Sequence, residues 1–309
     1  MNYQKKTRVL AGLLILLALV YALTLAFDPA RRNERNASFS WLPPDTRDLI
    51  DRLEIYRENE AAFQATLKNG VWVSPLNTLI EVPVKQGRVD DLLRLLTTRG
   101  AFPLRGSAAA SYGELGLGED GARLVVRGGA GLPLLELIVG KNDSSGEVFL
   151  RERGEDSFRS GSSLIASYVN GSRADWYDLK LFGAGENVSA NAVQRILVSN
   201  SQNALSLARS GADWVFDDGQ TASAEKTETW LRSLFESAGE DFIDPASFGE
   251  SEGRIMLQLG DGSSLTIQCG FPDESGRRAV LAGKPYAYVL PQWAYARLFR
   301  ERDAFEDQS

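Results

Sequence analysis

Hydrophobic and polar positions divide the chain into one long apolar run and a much longer region of short alternating segments. The run extends from Val9 to Phe27 and contains no charged residue, with Thr24 as a weakly polar member. At about 1.5 Å per residue it spans roughly 28 Å, close to the thickness of the hydrocarbon core of a bilayer. The pattern predicts a transmembrane helix at residues 9–27, after a leader at residues 1–8 that carries Lys5, Lys6 and Arg8.

The residues at the end of the run favour an anchor that is not cleaved. A signal-peptide cleavage site requires small residues, whereas Leu23, Leu25 and Phe27 are large. A cleaved signal peptide is the alternative. A first helix with a basic leader normally keeps its N-terminus in the cytoplasm, although Arg31, Arg32 and Arg35 beyond the helix partly balance that leader. We expect a single-pass protein of the cytoplasmic (inner) membrane, with its N-terminus in the cytoplasm and its bulk extracytoplasmic.

Periodic structure begins near Leu49, after a polar stretch at residues 28–47 that predicts a stalk. From there, the same order of strand-like and helical segments occurs twice, which indicates an internal duplication. Chance alignment of short apolar patterns is the alternative. We predict a first module at 48–183, a second at 184–305 and a tail at 306–309. The matched segments are 52–55 with 195–198, 70–73 with 212–215, 89–96 with 227–234, 123–126 with 254–257 and 148–150 with 279–281.

Turn dipeptides and apolar stripes predict the fold class of each module. Four dipeptides of the kind that suits tight hairpins punctuate the alternating runs: Asn69-Gly70, Asp120-Gly121, Asp218-Gly219 and Asp261-Gly262. The two helical segments have one apolar stripe each, formed by Val89, Leu92, Leu93 and Leu96 in the first copy and by Leu231, Leu234, Phe235 and Ala238 in the second. We therefore predict two similar α+β modules of mainly antiparallel sheet with packed helices.

The composition argues against several classes of function. A formal charge of -7 and a pI near 5.0 disfavour a nucleic-acid partner, because phosphate binding draws on clustered Lys and Arg. The sequence contains no histidine, which removes the commonest general base and the usual transition-metal ligand. The single cysteine, Cys269, lies in an alternating run and is predicted to be a small buried hydrophobe. A chemistry based on carboxylates alone or a calcium site stays open.

Candidate chemical motifs have simpler structural interpretations. Gly140-Lys141 resembles part of a phosphate-binding loop, but Leu135 and Asn142 stand where the Walker pattern requires Gly and Ser or Thr. We interpret it as a hairpin turn. Carboxylates that could serve a two-acid glycosidase mechanism are better explained by turns and helix starts; they are Asp90-Asp91, Asp217-Asp218 and the pair Glu58 and Glu60. We predict no catalytic residues, no cofactor-binding residues, no metal ligands and no cofactor.

Aromatic residues supply the one candidate binding surface. Trp72, Trp214, Trp230, Trp293 and Tyr295 fall at spacings typical of core packing. Tyr286 and Tyr288 share one face of a predicted strand, because side chains two residues apart point to the same side. We predict that these two tyrosines are exposed and form a possible binding surface.

Several motifs resemble those of a bacterial family of membrane-anchored proteins with a domain of unknown function (number 4340), often encoded beside gliding-motility-type ABC transporters. The likeness covers most of the region after the stalk, although Glu114 and residues 118–121 interrupt the family's compact Tyr-Gly-Leu motif. The resemblance implies ABC transporter subunits or other envelope proteins as partners and supplies no catalytic residues. The motifs are Trp72 to Pro75, Val89 to Leu96, Tyr112-Gly113 with residues 115–117, residues 137–140, residues 148–151 and residues 173–177.

The anchor, the duplication, the lack of histidine and the resemblance together favour a non-enzymatic membrane-anchored accessory or scaffold protein that works with an ABC-type transport system at the cell envelope. An extracytoplasmic glycan- or peptide-binding module is the alternative. A carboxylate-dependent hydrolase is a third class, and it requires two acids that converge in one cleft.

Overall fold

A computed structural model of the protein describes Leu17 and residues 38–183, 188–274 and 276–307. The fold is mixed α+β with two large, similar and mainly antiparallel sheets, which confirms that part of the predicted fold class. Apart from Leu17, the predicted transmembrane helix lies outside the described residues. Within the described ranges, no helix is both long enough and apolar enough to cross a bilayer.

The first copy of the repeated order of elements forms a nine-stranded sheet. Its strand order is β5-β4-β3-β2-β8-β9-β10-β11-β7, and a separate two-stranded sheet pairs β1 with β6. The strands are β1 (Ser38–Phe39), β2 (Ile50–Arg57), β3 (Glu60–Lys68), β4 (Val71–Pro75), β5 (Glu81–Pro83), β6 (Gly100–Ala101), β7 (Leu104–Gly106), β8 (Ala122–Gly128), β9 (Leu132–Asn142), β10 (Val148–Glu152) and β11 (Phe158–Gly161). The helices are α1 (Gln86–Thr97), α2 (Tyr112–Leu115) and α3 (Leu164–Asn170).

The second copy forms another nine-stranded sheet, with the order β15-β14-β13-β12-β17-β18-β19-β20-β16. Its strands are β12 (Val193–Asn200), β13 (Ala204–Ser210), β14 (Asp213–Phe216), β15 (Thr221–Ala222), β16 (Asp241–Ile243), β17 (Ser251–Leu259), β18 (Ser264–Asp273), β19 (Gly276–Leu281) and β20 (Ala287–Leu290). Its helices are α4 (Ala224–Phe235) and α5 (Gln292–Leu298). Short 3-10 turns occur at Pro44–Leu49, Ala109–Ser111, Gly129–Gly131, Arg173–Asp175, Ala190–Ala192, Pro245–Ser247 and Arg302–Phe305.

The two sheets have the same topology. Counted along the chain within each copy, the strands lie in the order fourth, third, second, first, sixth, seventh, eighth, ninth and fifth in both sheets. The main helix follows the fourth strand in each copy. Register agrees as well, since Glu54 pairs with Val125 in the first sheet and the matched Leu197 pairs with Met256 in the second. The two similar sheets agree with the order of elements in the sequence.

The apolar stripes of the main helices are largely as predicted. Helix α1 buries Val89, Leu92, Leu93 and Leu96, as the sequence indicates. Helix α4 buries Leu231 and Leu234, but Trp230 takes the place expected for Phe235, and Ala238 is exposed beyond the end of the helix. The stripe of α4 is therefore rotated towards Trp230, whose indole N–H donates to the carbonyl oxygen of Leu298 at 3.0 Å.

Each copy begins with a short extended segment that pairs beside the end of its main helix. In the first copy Phe39 pairs with Gly100, and in the second Lys180 pairs with Ala238. Trp41 is buried, and its ring meets the ring of Phe102 edge-on at 5.7 Å. The folded part therefore begins before residue 48, and residues 38–47 are not a stalk.

Contacts divide the chain into two compact units, Met1–Ala62 with Val89–Gly171 and Phe63–Arg88 with Ser172–Ser309. The predicted boundary kept residues 63–88 with the first module. In the second unit, the ring of Phe63 stacks on that of Trp176 at 4.8 Å. The backbone N–H of Lys85 donates to the carbonyl oxygen of Trp176 at 2.7 Å. These contacts explain why residues 63–88 are grouped with residues 172–309.

Candidate functional site

A cleft of about 730 Å³ opens in the first unit, a size within the range of sites that hold ligands or peptide segments. Four parts of the unit form its walls: the C-terminal half of α1, the chain around β6, the turn between β9 and β10, and the start of α3. The lining includes Asp91, Arg94, Leu95, Arg99, Phe102, Glu147, Ser162, Ser163, Leu164 and Tyr168.

The floor and one wall of the cleft are apolar. Phe102 is buried, Leu95 is half-buried, and Leu164 is 58% exposed at the first position of α3. An exposed leucine beside a buried aromatic ring presents apolar area that a bound segment can remove from water, at about 25 cal/mol per Å². The cleft therefore offers a hydrophobic contact surface.

The turn between β9 and β10 forms the opposite wall, and Asp143 shapes it. The Asp143 carboxylate accepts from the backbone N–H of Ser145 at 2.8 Å, from the Ser145 hydroxyl at 2.6 Å and from the backbone N–H of Glu147 at 3.0 Å. The Ser145 hydroxyl is the main reason why the pKa of Asp143 is lowered. The segment after Gly140-Lys141 is thus a hairpin turn between antiparallel strands, as predicted.

Glu147 is held as a charged group at the edge of this wall. The buried hydroxyl of Ser160 donates to its carboxylate at 2.5 Å, and Arg105 donates to it at 2.8 Å. Arg105 also donates to the Ser160 hydroxyl at 2.7 Å. The Ser160 hydroxyl first, and the Arg105 guanidinium second, lower the pKa of Glu147. The hydrogen bonds of this carboxylate are therefore made to residues of the wall itself.

The α1 side of the cleft contributes cations. Arg94 pairs with Asp91 at 2.6 Å, one turn earlier on the same helix. Arg99 is exposed just beyond the helix, and within the described part of the chain no carboxylate forms an ion pair with it. Because the two acids of the lining are paired with arginines, Arg99 leaves the rim with an uncompensated positive charge.

The other candidate acids lie on separate turns or in ion pairs. Asp90 pairs with Arg47 at 2.9 Å, and Asp218 pairs with Arg302 at 2.8 Å, which lowers the pKa of Asp218. Glu58 occupies the turn between β2 and β3 with a φ of 49°. The shorter helical pattern in the sequence placed Asp90 and Asp91 in the first turn of the helix. Helix α1 begins at Gln86, however, so both residues lie in its second turn.

The aromatic residues are mostly in the core, and the predicted binding surface is not at the surface. Tyr286 is 6% exposed and Tyr288 is 1% exposed. Both rings pack around the ring of Phe242, with centroids 4.7 and 5.1 Å away. Tyr286 directly precedes β20 and Tyr288 lies within it, and both side chains are buried, which corrects the prediction of an exposed surface. Trp72, Trp214, Trp230 and Tyr295 are also buried, whereas Trp293 is 63% exposed.

Sequence reasoning missed the residues that form the cleft. Arg99, Phe102 and Leu164 come from three segments, and no spacing along the chain relates them. The sequence contains one local indication of the cleft, at residues 100–102. This stretch directly follows a helix and is neither polar enough for a loop nor long enough for a typical strand. Cys269 is buried, as expected.

The described side chains contain no cluster of three or more carboxylate, cysteine or histidine groups that could hold a metal ion. The cleft combines an apolar floor, two arginine-bound carboxylates, a row of hydroxyl groups and one uncompensated arginine. Such an arrangement can bind an apolar segment that carries negative charge. The chain matches no protein-family model, no curated protein and no solved structure.

Proposed function

We propose that this protein is a non-enzymatic accessory or scaffold protein of the cell envelope, which holds a segment of a partner protein in the cleft of its first unit. The observation that carries the proposal is the composition of that cleft. Apolar area at Leu95 and Leu164 lies beside Arg99, whose charge is not compensated within the cleft. A partner segment that places an apolar side chain on Leu164 and a carboxylate near Arg99 satisfies both features.

The engaged state of the acids favours binding over hydrolysis. A two-carboxylate mechanism needs one acid that can donate a proton and a second that can act as a base or nucleophile. In the cleft, Asp91 is paired with Arg94 and Glu147 with Arg105. The pKa of Glu147 is lowered, which is the opposite of what a proton donor near neutral pH requires.

The partner we propose is a subunit of an ABC-type transport system, and the protein is proposed to be held beside it by a single-pass anchor at residues 9–27. This part of the proposal rests on the apolar N-terminal run and on the family resemblance of the sequence. A protein tethered to the same membrane as its partner meets it at a high effective concentration, so a shallow cleft suffices for a specific contact.

The alternative is an extracytoplasmic module that binds free peptides or glycans. Glycan recognition commonly uses aromatic faces as platforms. The two aromatic residues of the cleft are Phe102, which is buried, and Tyr168, which is half-buried. The apolar floor and the free cation suit a peptide better than a sugar, so the peptide version of this alternative is the stronger one.

Affinity purification after crosslinking in intact cells tests the proposal. The tagged chain is recovered from gently solubilised membranes and compared with Leu164→Asp and Arg99→Glu. We expect transporter subunits to co-purify with the unchanged chain and to fall by about tenfold in both variants, corresponding to roughly 1.4 kcal/mol. Leu132→Asp is the matched control, because Leu132 is also an exposed leucine of the first unit, at 64% against 58% for Leu164.

Two results would contradict the proposal. Repeated failure to recover any transporter subunit under crosslinking would contradict the proposal that the partner is a transporter subunit. An equal loss of co-purified transporter subunits in the Leu132→Asp control would show that the cleft is not the contact surface. Binding of a free peptide to the purified chain, without a transporter subunit in the crosslinked material, would favour the alternative instead.

A further inference from the structure

A second cleft, here called the α4–α5 cleft, lies in the second unit and has a volume of about 570 Å³. It is formed by α4, the end of α5 and the segment that follows α5. Helices α4 and α5 follow the fourth and the last strand of their copy, as α1 and α3 do in the first copy. The residues of the lining that matter below are Glu225, Lys226, Trp230, Arg297, Arg300 and Phe305.

Cations outnumber carboxylates in this lining. Lys226 comes from α4, Arg297 from α5 and Arg300 from the chain just beyond it, whereas Glu225 is the one carboxylate of the lining. The chain as a whole has a formal charge of -7. The α4–α5 cleft is therefore a positively charged site on an acidic protein.

The charges of these three cations are not neutralised by carboxylates. Lys226 Nζ donates to the backbone carbonyl oxygen of Glu306, and Arg297 Nε donates to the hydroxyl group of Ser233. Arg300 is exposed. Among the residues that the structure describes, no carboxylate forms an ion pair with any of the three. A carbonyl or hydroxyl acceptor carries no net charge, so the positive charges stay available to a bound anion.

The acids that follow α5 along the chain do not change this balance. The Glu306 carboxylate pairs with Arg302 at 2.7 Å, and the Glu301 carboxylate accepts from the side chain of Asn203 at 3.1 Å. The other acids of this segment are exposed and lie outside the lining; they are Asp303 and Asp307. The α4–α5 cleft therefore keeps an excess of positive charge.

The floor of the cleft is closed, because Trp230 and Phe305 are themselves buried. Apolar contact area is instead offered by Trp293, which is 63% exposed on α5. Trp293 precedes Arg297 by four residues, so the two side chains lie on the same face of the helix. Tryptophan and arginine are the residues that most often dominate the binding energy of protein interfaces.

We propose that the α4–α5 cleft binds an acidic segment of a partner protein, whose carboxylates pair with Lys226, Arg297 and Arg300. An apolar side chain of the same segment packs on Trp293. The argument for this occupant is charge complementarity, since cations from two helices surround one concave volume. The α4–α5 cleft shares no residue with the cleft of the first unit, so this proposal goes beyond the proposed function and can fail separately.

The surface suits a protein segment better than a membrane. Binding of a protein surface to a bilayer interface scales with the apolar area that it inserts. In the described residues of α4, α5 and the segment up to Phe305, Trp293 is the one large apolar side chain that is exposed. The cations surround a recess and not a protruding apolar face.

The probe is a short fluorescent peptide of alternating glutamate and leucine residues, and its binding to the full chain is measured by anisotropy. All proteins carry Arg99→Glu, so that the cleft of the first unit does not contribute. We expect saturable binding that weakens at least about tenfold when Arg297→Glu or Arg300→Glu is added. Arg232→Glu is the matched control, because it reverses an exposed arginine of α4 outside the lining and should leave binding unchanged.

The apolar contact is tested with a second pair of variants. Trp293→Ala should weaken binding of the peptide at least about fivefold. Phe271→Ala is its control, since Phe271 is also an exposed aromatic residue of the second unit, at 55%, and should leave binding unchanged. A peptide with glutamine in place of every glutamate should bind more weakly to the protein without these additional substitutions.

Three results would overturn the proposal. The first is absence of saturable peptide binding up to about 1 mM. The second is equal weakening by Arg232→Glu and Arg300→Glu, which would mean that only the overall charge of the chain matters. The third is binding of phosphatidylglycerol vesicles, but not of the peptide, with loss of vesicle binding in Arg300→Glu, which would assign the surface to a membrane. None of these results bears on the cleft of the first unit, which Arg99→Glu has already disabled.

Discussion

The backbone carbonyl oxygen of Phe305 accepts a hydrogen bond from the N–H of Ser223 at 2.7 Å, directly before helix α4. Trp176 makes the same bond with Lys85 before α1, also at 2.7 Å. Each copy therefore ends with an aromatic residue that is tied by its backbone to the start of the main helix. The side chains of both residues are 1% exposed.

Replacing Phe305 with alanine should destabilise the protein strongly. The Phe305 ring meets the ring of Trp230 edge-on at 5.6 Å, and its removal leaves a cavity beside α4. We expect a loss of about 3–5 kcal/mol in the free energy of unfolding, measured by urea denaturation. Phe271→Ala is the control, because Phe271 is 55% exposed and should change stability by less than about 0.5 kcal/mol. Equal losses in the two variants would refute this view of the C-terminal segment.

Replacing Gly140 with alanine should loosen the segment of residues 112–119, whose Leu117 packs on Ile138 and Phe158. A Cβ at this position would lie 2.3 Å from the carbonyl oxygen of Leu115 and 3.0 Å from Leu117, so one of them must move. We expect a loss of about 1–3 kcal/mol and faster hydrogen exchange at residues 112–117. Gly129→Ala is the control, since a Cβ there meets nothing within 4 Å. Unchanged exchange in Gly140→Ala would show that the segment is not held by this contact.

Replacing Ser160 with alanine should raise the pKa of Glu147. The Ser160 hydroxyl is the largest cause of the lowered pKa, and Arg105 is the next. The pKa is measured from the chemical shift of the Glu147 carboxyl carbon in an NMR titration. In the variant, this pKa should move towards the ordinary value of about 4.3. Ser144→Ala changes an exposed hydroxyl of the same turn and should have no effect. No movement in Ser160→Ala would contradict the assignment.

The same group links stability to pH. Because the pKa of Glu147 is lower in the folded state, its contribution to stability is present above the unfolded value of about 4.3. That contribution is lost as the pH falls through the folded pKa. The difference in urea midpoint between neutral pH and about pH 3.5 should therefore be smaller in Ser160→Ala than in the unchanged chain. An equal or larger difference would count against this linkage.

Cys269 should resist thiol reagents in the folded protein. Its side chain is buried, and burial raises the pKa of the thiol, which suppresses the reactive thiolate. We expect slow reaction with an aromatic disulfide reagent in buffer and fast reaction in urea. A Ser264→Cys variant adds a thiol at an exposed position of the same strand and should react quickly with one equivalent. Fast labelling of the unchanged chain in buffer would mean that β18 opens readily.

Much of the fold is predictable from the sequence because its elements depend on local periodicity. Alternation over residues 123–126 and 254–257 predicts strands β8 and β17, and the stripe from Val89 to Leu96 predicts α1. The repeated order of such segments predicts two similar sheets, since a duplicated pattern forms duplicated elements. These features need only the period of the side chains and not their distant neighbours.

The candidate sites could not be predicted in this way. A period of two places Tyr286 and Tyr288 on one side of a strand, but the ring of Phe242, more than forty residues earlier in the chain, decides that this side is buried. The cleft likewise joins Arg99 with Leu164, which only the packed unit brings together. Partners distant along the chain decide these contacts.

By itself, the sequence determined the mixed α+β class, the two similar sheets and the main helices, because each follows from local side-chain spacing. Only the tertiary structure decided which sheet face is covered. The rows around Val125 and Met256 have the same alternation, yet Val125 is buried between Glu54 and Glu136, whereas Met256 is half-buried and lines an open groove. Whether a sheet face is buried depends on packing between residues that are distant along the chain. The spacing of residues along a strand carries no information about this packing.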